Sequence, residues 1–233
     1  MIILFAPAKT LDITTNLLPV SYTYTAESNQ LIEEIQSMSE TSLKDFYGIS
    51  DNLFKDVQNY IKHFDEPIGH KVLTLYRGEA YKSLDAHSLS KEAINYLNQH
   101  LFILDALYGL LHPSDVIRPY RLDFLFKGIN LKQFWRKKIN DHLISFDKKT
   151  ILSLASKEYS SLIDPKLNPF YEVQFYNLIK GKYKAVSMYN KHHRGLLLRH
   201  IAEHQIKTIE ELPKVFYGYQ KYVNGYQIEY RKD

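Results

Sequence analysis

The first twelve residues read MIILFAPAKTLD (1–12), and this stretch decides how the rest of the chain is understood. Residues 2–6 form an unbroken apolar run, β-branched at its start and stopped by Pro7, which predicts a buried strand. Immediately beyond it stand Lys9, Thr10 and Asp12, polar groups at the end of an interior element. In sheets with helices packed on them, ligands bind beyond the carboxyl ends of strands. Lysine there offers three donors to a phosphate or carboxylate, and threonine adds a hydroxyl. A solvated surface loop is the competing reading, and no glycine-rich phosphate loop is present.

Helical periodicity supplies the second kind of element. Leu31, Ile32, Ile35 and Met38 recur at helical spacing, as do Leu53, Phe54, Val57, Ile61 and Phe64 after the capping pair Ser50-Asp51. Residues 72–76 predict a strand ending at Arg77-Gly78, and residues 91–99 a helix; residues 101–104 either continue it or form a strand. Leu131, Phe134, Trp135, Ile139 and Leu143 mark an amphipathic helix. Residues 150–155 predict a short buried strand, with Ser156 placed to cap the helix that follows.

The last third predicts mostly antiparallel pairing. Val173 and Phe175 alternate with polar residues, Lys180-Gly181 can turn into a strand near residues 183–188, and a helix covers about 191–204. Asn224-Gly225 is a type I′ hairpin pair flanked by Tyr226, Ile228 and Tyr230 at period two. The sum is an α+β protein, a mixed β-sheet wrapped by helices. No linker, low-complexity tract or internal repeat divides the chain, so residues 1–233 are expected to form a single domain.

The bulk numbers narrow the function. A chain of 233 residues, 45% hydrophobic, builds one sizeable core. Thirty basic against twenty-six acidic residues give a formal charge of +4, so a nucleic-acid role requires the positive charge to be concentrated on one face. Cysteine is absent, which excludes disulfides and thiolate metal sites and fits a reducing, cytoplasmic location. The opening apolar run is too short for a signal peptide and no later run approaches a membrane span, so no membrane partner is expected. Nineteen tyrosines are enough for some to line a cleft, though edging the sheet would use them equally well.

Other clusters invite chemical readings. Ser156-Lys157-Glu158-Tyr159 again follows an apolar strand; if it runs parallel to the first, Lys9, Thr10, Ser156, Glu158 and Tyr159 share one rim. A lysine, a carboxylate and a tyrosine in reach suffice for proton transfer at a sugar or base, and a desolvated lysine is a nucleophile for a sugar aldehyde. The alternative is an ordinary capped helix with an exposed first turn. Arg118-Pro119-Tyr120-Arg121 suits phosphate and base contacts, against a structural pairing of Arg121 with Asp123 or Asp105. Arg77 and Tyr81 flank the turn at Gly78. Lys191, Arg194 and Arg199 belong to the densest basic stretch, a phosphate track or a solvated helix face. His200-Ile201-Ala202-Glu203-His204 spells an inverted zinc-peptidase pattern, but a third ligand is wanting, so no metal and no other cofactor is expected.

Taken in order, PAKTLD (7–12), ALYGLLHPSDVIRPYRLD (106–123), LKQFW (131–135), LASKEY (154–159) and NKHHRGLLLR (190–199) closely resemble the YaaA family of bacterial peroxide-stress proteins, over nearly the whole chain. The resemblance implies a single-domain fold with a positively charged cleft and a helix-hairpin-helix element. It also implies DNA binding, duplex or branched, and a role in limiting damage from unincorporated iron. A likeness of some relatives to glycosidases or lyases implies the alternative of an enzyme acting on a nucleobase or its sugar. On this resemblance Lys9 is a cleft residue, and Arg77, Tyr108, Arg118, Tyr120, Arg121, Lys157, Lys191, Arg194 and Arg199 join it as candidate nucleic-acid contacts. Lys9, Thr10, Ser156, Glu158 and Tyr159 are the catalytic candidates. The chain departs from the common pattern at Ala6, Asp105-Ala106 and His112; one glycine, Gly109, stands where a helix-hairpin-helix turn usually has two.

Overall fold

The computed structural model describes residues 1–147 and 149–233. Its main sheet is built around the opening strand, β1 (Ile2–Phe5), every residue of which is buried. Two short elements and three helices follow: β2 (Leu18–Pro19), α1 (Thr25–Gln36), α2 (Glu40–Tyr47), α3 (Asp51–Lys62), then β3 (Ile68–Lys71). Next come α4 (Val72–Leu75), α5 (Glu79–Leu84), α6 (Lys91–His100), β4 (Leu101–Asp105), β5 (Gly109–Leu111) and β6 (Val116–Ile117). The second half contains α7 (Leu131–Ile144), β7 (Ile151–Ser153), α8 (Lys157–Ser160), β8 (Phe170–Ile179) and β9 (Lys182–Lys184). It closes with α9 (Ser187–Glu203), β10 (Val215–Phe216), β11 (Tyr219–Asn224) and β12 (Gln227–Lys232).

The large sheet has the order β10-β11-β12-β8-β7-β1-β4-β5, with β9 paired to β8; β2, β3 and β6 form a small antiparallel sheet. β4, β1, β7, β8 and β12 are mutually parallel, and antiparallel hairpins finish both edges. Mixed α+β architecture is therefore as expected. The pairing of the last third is more mixed than expected: the β8–β9, β10–β11 and β11–β12 pairs are antiparallel, but β8 lies parallel to both β7 and β12. Residues 72–75 are a helical turn and not a strand, and Tyr76 makes a single bridge to Leu11. The β11–β12 loop is Gly225-Tyr226, one residue later than expected: Asn224 pairs with Gln227 inside the ladder and Gly225 takes the positive φ of 56°. Residues 106–123 contain a turn, β5, β6 and extended chain, so this segment is not a helix-hairpin-helix.

The edge of β8 explains two polar residues in the core. β7 covers residues 170–172 of that edge and β9 covers 177–179. Between them α9 supplies side chains. Asn190 Oδ1 accepts from the Phe175 N–H at 2.9 Å and its Nδ2 donates to the Phe175 carbonyl at 2.8 Å. Arg194 donates to the Val173 carbonyl at 3.1 Å. Buried backbone groups require such partners. α9 also packs directly on α5 at Gly195, where a Cβ would lie 2.0 Å from the Ala80 carbonyl oxygen.

Candidate functional site: a cavity at the carboxyl ends of β1 and β7

Because β1 and β7 are adjacent and parallel, the segments leaving them emerge side by side. After β1 the chain runs as a strap along residues 75–78: Asp12 N–H donates to the Leu75 carbonyl at 2.7 Å and Arg77 N–H to the Thr10 carbonyl at 2.9 Å. Gly78 permits the close approach, since a Cβ there would stand 2.8 Å from Ala8 Cβ. The Tyr81 hydroxyl donates to the Ala6 carbonyl at 3.0 Å and fixes α5 against the strap. Between strap, α5, α9 and the β7–α8 turn lies a cavity of about 310 Å³.

Lys9, Thr10, Ser156, Glu158 and Tyr159 all line this cavity, as does Tyr81, and α9 adds Lys191 and Arg194. Lys9 is 54% exposed and its Nζ stands 2.5 Å from a carboxylate oxygen of Asp123, which is 7% exposed. The partner of Asp123 is thus Lys9, not Arg121. Asp123 also accepts the Leu125 N–H at 2.9 Å. Ser156 occupies the N-cap position of α8 without a capping bond from its hydroxyl.

Two groups in the cavity wall are electrostatically unbalanced. Glu158 Oε1 is buried with no hydrogen-bond partner. Burial, and then the nearby Asp123 carboxylate, raise its pKa against the opposing pull of Lys9 and Lys132. Arg194 is 6% exposed, its Nε has no partner, and burial pushes its pKa down to about 10 despite Glu172. Among the described residues no carboxylate lies within 4.0 Å of its guanidinium. A buried cation held by one carbonyl retains most of its donor capacity. Tyr159 is buried, and its hydroxyl pKa is raised first by that burial and then by Glu158. The apolar part of the wall comes from Phe5, Pro7, Ala8, Tyr81 and Leu154. The arrangement suits an anion at the basic side and a proton donor or acceptor at Glu158.

The other candidates lie elsewhere. Tyr108 is fully buried and donates to the Arg118 carbonyl at 3.0 Å, while Tyr120 is buried and donates to Asp105. Neither ring is available for stacking on a base. Asp105 is satisfied by the Tyr120 and Tyr76 hydroxyls, the latter at 2.8 Å, and by the N–H groups of Leu107 and Tyr108; Arg121 is not its partner. Arg118 sits 5.0 Å from the Phe64 ring centre and donates to the Glu66 carbonyl. Arg121 points among Pro119, Tyr47 and Tyr60 with a buried, unpartnered Nε. Arg199 ties the carboxyl end of α5, donating to the Leu84 and Asp85 carbonyls and pairing with Glu203 at 2.8 Å. Arg77 pairs with Asp12 at 2.9 Å on the outer side of the strap, and Lys157 is exposed outside the cavity. His204 donates back to α9, from Nδ1 to the His200 carbonyl oxygen at 2.9 Å. Among the described residues no group of three or more His, Asp or Glu side chains is placed to hold a metal, and no helix is long and apolar enough to cross a membrane.

Sequence reasoning overlooked Asp123 as the partner of Lys9, and Glu79, which lines the cavity and faces His192 at 3.2 Å. Its one available hint for Arg194 was composition: the residue is followed by Gly195-Leu196-Leu197-Leu198, an apolar run that marks a buried position.

Comparison with known proteins places these features in context. The model of the family described as peroxide stress protein YaaA matches residues 1–226. The chain belongs to this family. Among curated relatives, a UPF0246 protein of Shewanella woodyi is 32% identical over 232 residues, covering 92% of this chain and 91% of the relative. A UPF0246 protein of Aliivibrio fischeri is 33% identical, covering 91% and 89%, and one of Shewanella sediminis is 33% identical, covering 91% and 90%. Membership of the family supports a role in the response to peroxide, and the matches run across both segments that enclose the cavity.

Proposed function

We propose that this peroxide-stress protein binds DNA at the cavity, with its basic side chains holding the phosphate backbone there and limiting damage linked to unincorporated iron. The observation that carries the reading is the convergence of Lys9, Lys191 and Arg194, from opposite ends of the chain, on one hollow. Arg77, Arg118 and Arg199 have internal partners and Arg121 lies among Pro119, Tyr47 and Tyr60, so the electrostatic footprint is compact and not a long track. Phosphate contacts of this kind release counterions, and binding weakens steeply with salt. Fluorescence anisotropy with duplex, branched and single-stranded DNA at two salt concentrations, for wild type and Lys9→Ala, tests it. Salt-sensitive binding that weakens in the variant is expected; absence of binding to all three refutes it.

A second reading is supported by Glu158. A carboxyl pushed toward its neutral form beside Asp123, which is paired with Lys9, is the arrangement that separates an acid from an ionised partner. It favours an enzyme acting on a nucleobase or its sugar. Product analysis for base release or strand cleavage, with Glu158→Gln as the comparison, decides it: turnover falls while affinity holds if Glu158 carries a proton in the reaction.

A further inference from the structure

We propose that the cavity accepts one nucleotide unit, base and sugar with a single phosphate, and that Arg194 is the residue that selects for the phosphate. The proposal rests on the nucleic-acid reading above and narrows it.

Volume sets the size of the occupant. About 310 Å³ is at the lower end of small-molecule pockets and far too small for a duplex, so what enters is a single unit. From DNA such a unit arrives extrahelical, which costs unstacking and favours unpaired or damaged positions; a free nucleotide presents the same chemistry without that cost. Arg194 supplies the selectivity. Its guanidinium is buried, uses one bond on the Val173 carbonyl, and among the described residues has no carboxylate within 4.0 Å, Glu172 acting on it only from further away. A buried cation without an ion-pair partner is unfavourable by itself, and an incoming phosphate, a monoanion as a DNA diester or a dianion as a free monophosphate, restores the balance with charge-assisted bonds. Lys191, exposed three residues earlier on α9, approaches the same hollow from its mouth. Phe5, Tyr81 and Tyr159 give the same cavity an apolar and aromatic lining, as a base or sugar face requires. Glu158, with an unpartnered buried oxygen, remains for a hydroxyl or ring N–H of the bound unit.

The test is calorimetric titration of the full chain with deoxyadenosine 5′-monophosphate, deoxyadenosine and inorganic phosphate, for wild type, Arg194→Gln and Arg194→Lys. The monophosphate binds best, deoxyadenosine loses most of the affinity, and Arg194→Gln lowers monophosphate affinity about 10- to 100-fold, with Arg194→Lys between. Arg194 also holds β8, so circular dichroism checks each variant. If Arg194→Gln does not fold, the wild-type ratio of monophosphate to nucleoside decides. Equal affinity for nucleoside and monophosphate overturns the proposal, as does an unaffected Arg194→Gln. Inorganic phosphate binding as tightly as the monophosphate overturns the nucleotide part. Anisotropy with a duplex carrying one unpaired nucleotide, against the fully paired duplex, separates the sources. Binding of both duplexes that Arg194→Gln leaves unchanged keeps the DNA reading and removes the cavity from it. Monophosphate binding with no DNA binding does the reverse.

Discussion

Replacing Gly195 with alanine tests whether the contact between α5 and α9 fixes the shape of the cavity. The added Cβ would lie 2.0 Å from the Ala80 carbonyl oxygen, 2.8 Å from its carbon and 2.9 Å from Ser83 Cβ. The first two are backbone atoms and cannot swing aside as a flexible side chain would, so the helices must part by roughly 1 Å. Overpacking of this kind costs about 1–3 kcal/mol, and alanine returns no more than about 1 kcal/mol of helix propensity. With backbone as the obstacle, a net loss of about 2 kcal/mol is expected. For a chain of this size that lowers Tm by about 4–8 °C in a thermal melt. Displacement of α5 also moves Tyr81 away from the Ala6 carbonyl and widens the wall facing Arg194, so ligand affinity falls with stability. Gly195→Val should lose more than Gly195→Ala. A Gly195→Ala variant with unchanged or higher Tm would refute the reasoning, because it would mean that the two helices adjust without cost.

Other outcomes follow from the polar core. Asn190→Leu strips the Phe175 N–H and carbonyl of their partners and should cost about 2–4 kcal/mol in denaturant titration. Tyr120→Phe removes one donor from the buried Asp105 carboxylate and should cost about 1–3 kcal/mol, read the same way. Glu158 gives a pH signature. Its folded pKa is raised above the ordinary 4.5, chiefly by burial, so the folded state binds this proton more tightly than the unfolded state. Its contribution to stability therefore falls as pH rises from 4.5 through the folded value. Glu158→Gln removes that loss: the Tm of the variant relative to wild type should climb between pH 4 and pH 7, and a flat difference would contradict the burial argument.

How far the sequence disclosed all this depended on whether the deciding interaction was local. β1 was legible because an apolar run stopped by proline means much the same in most settings. Lys9, Thr10, Ser156, Glu158 and Tyr159 were found together for a related reason, each standing just beyond a buried strand. Residues 72–76 misled because a short apolar run has no periodicity to separate a strand from a turn of helix. The parallel placement of β12 on β8 was not legible, since the two hairpins that flank it carry strong antiparallel signals and the pairing joins segments far apart in sequence. Tyr108 and Tyr120 look like stacking residues in sequence. Only the structure shows that both are structural, with the Tyr108 hydroxyl on the Arg118 carbonyl and the Tyr120 hydroxyl on Asp105.

The central place of β1 has a consequence for how the molecule comes into being. Ile3 lies between Leu101 on one side and Leu152 on the other, so β1 is synthesised well before either of its neighbours in the sheet. Pairings that distant make folding slow and leave an apolar segment open to wrong partners while it waits. During synthesis β1 waits for β4 to cover one of its edges and for β7 to cover the other. Arg194 arrives later still, so a chain stalled before α9 has the strap and the lysine but no completed cavity.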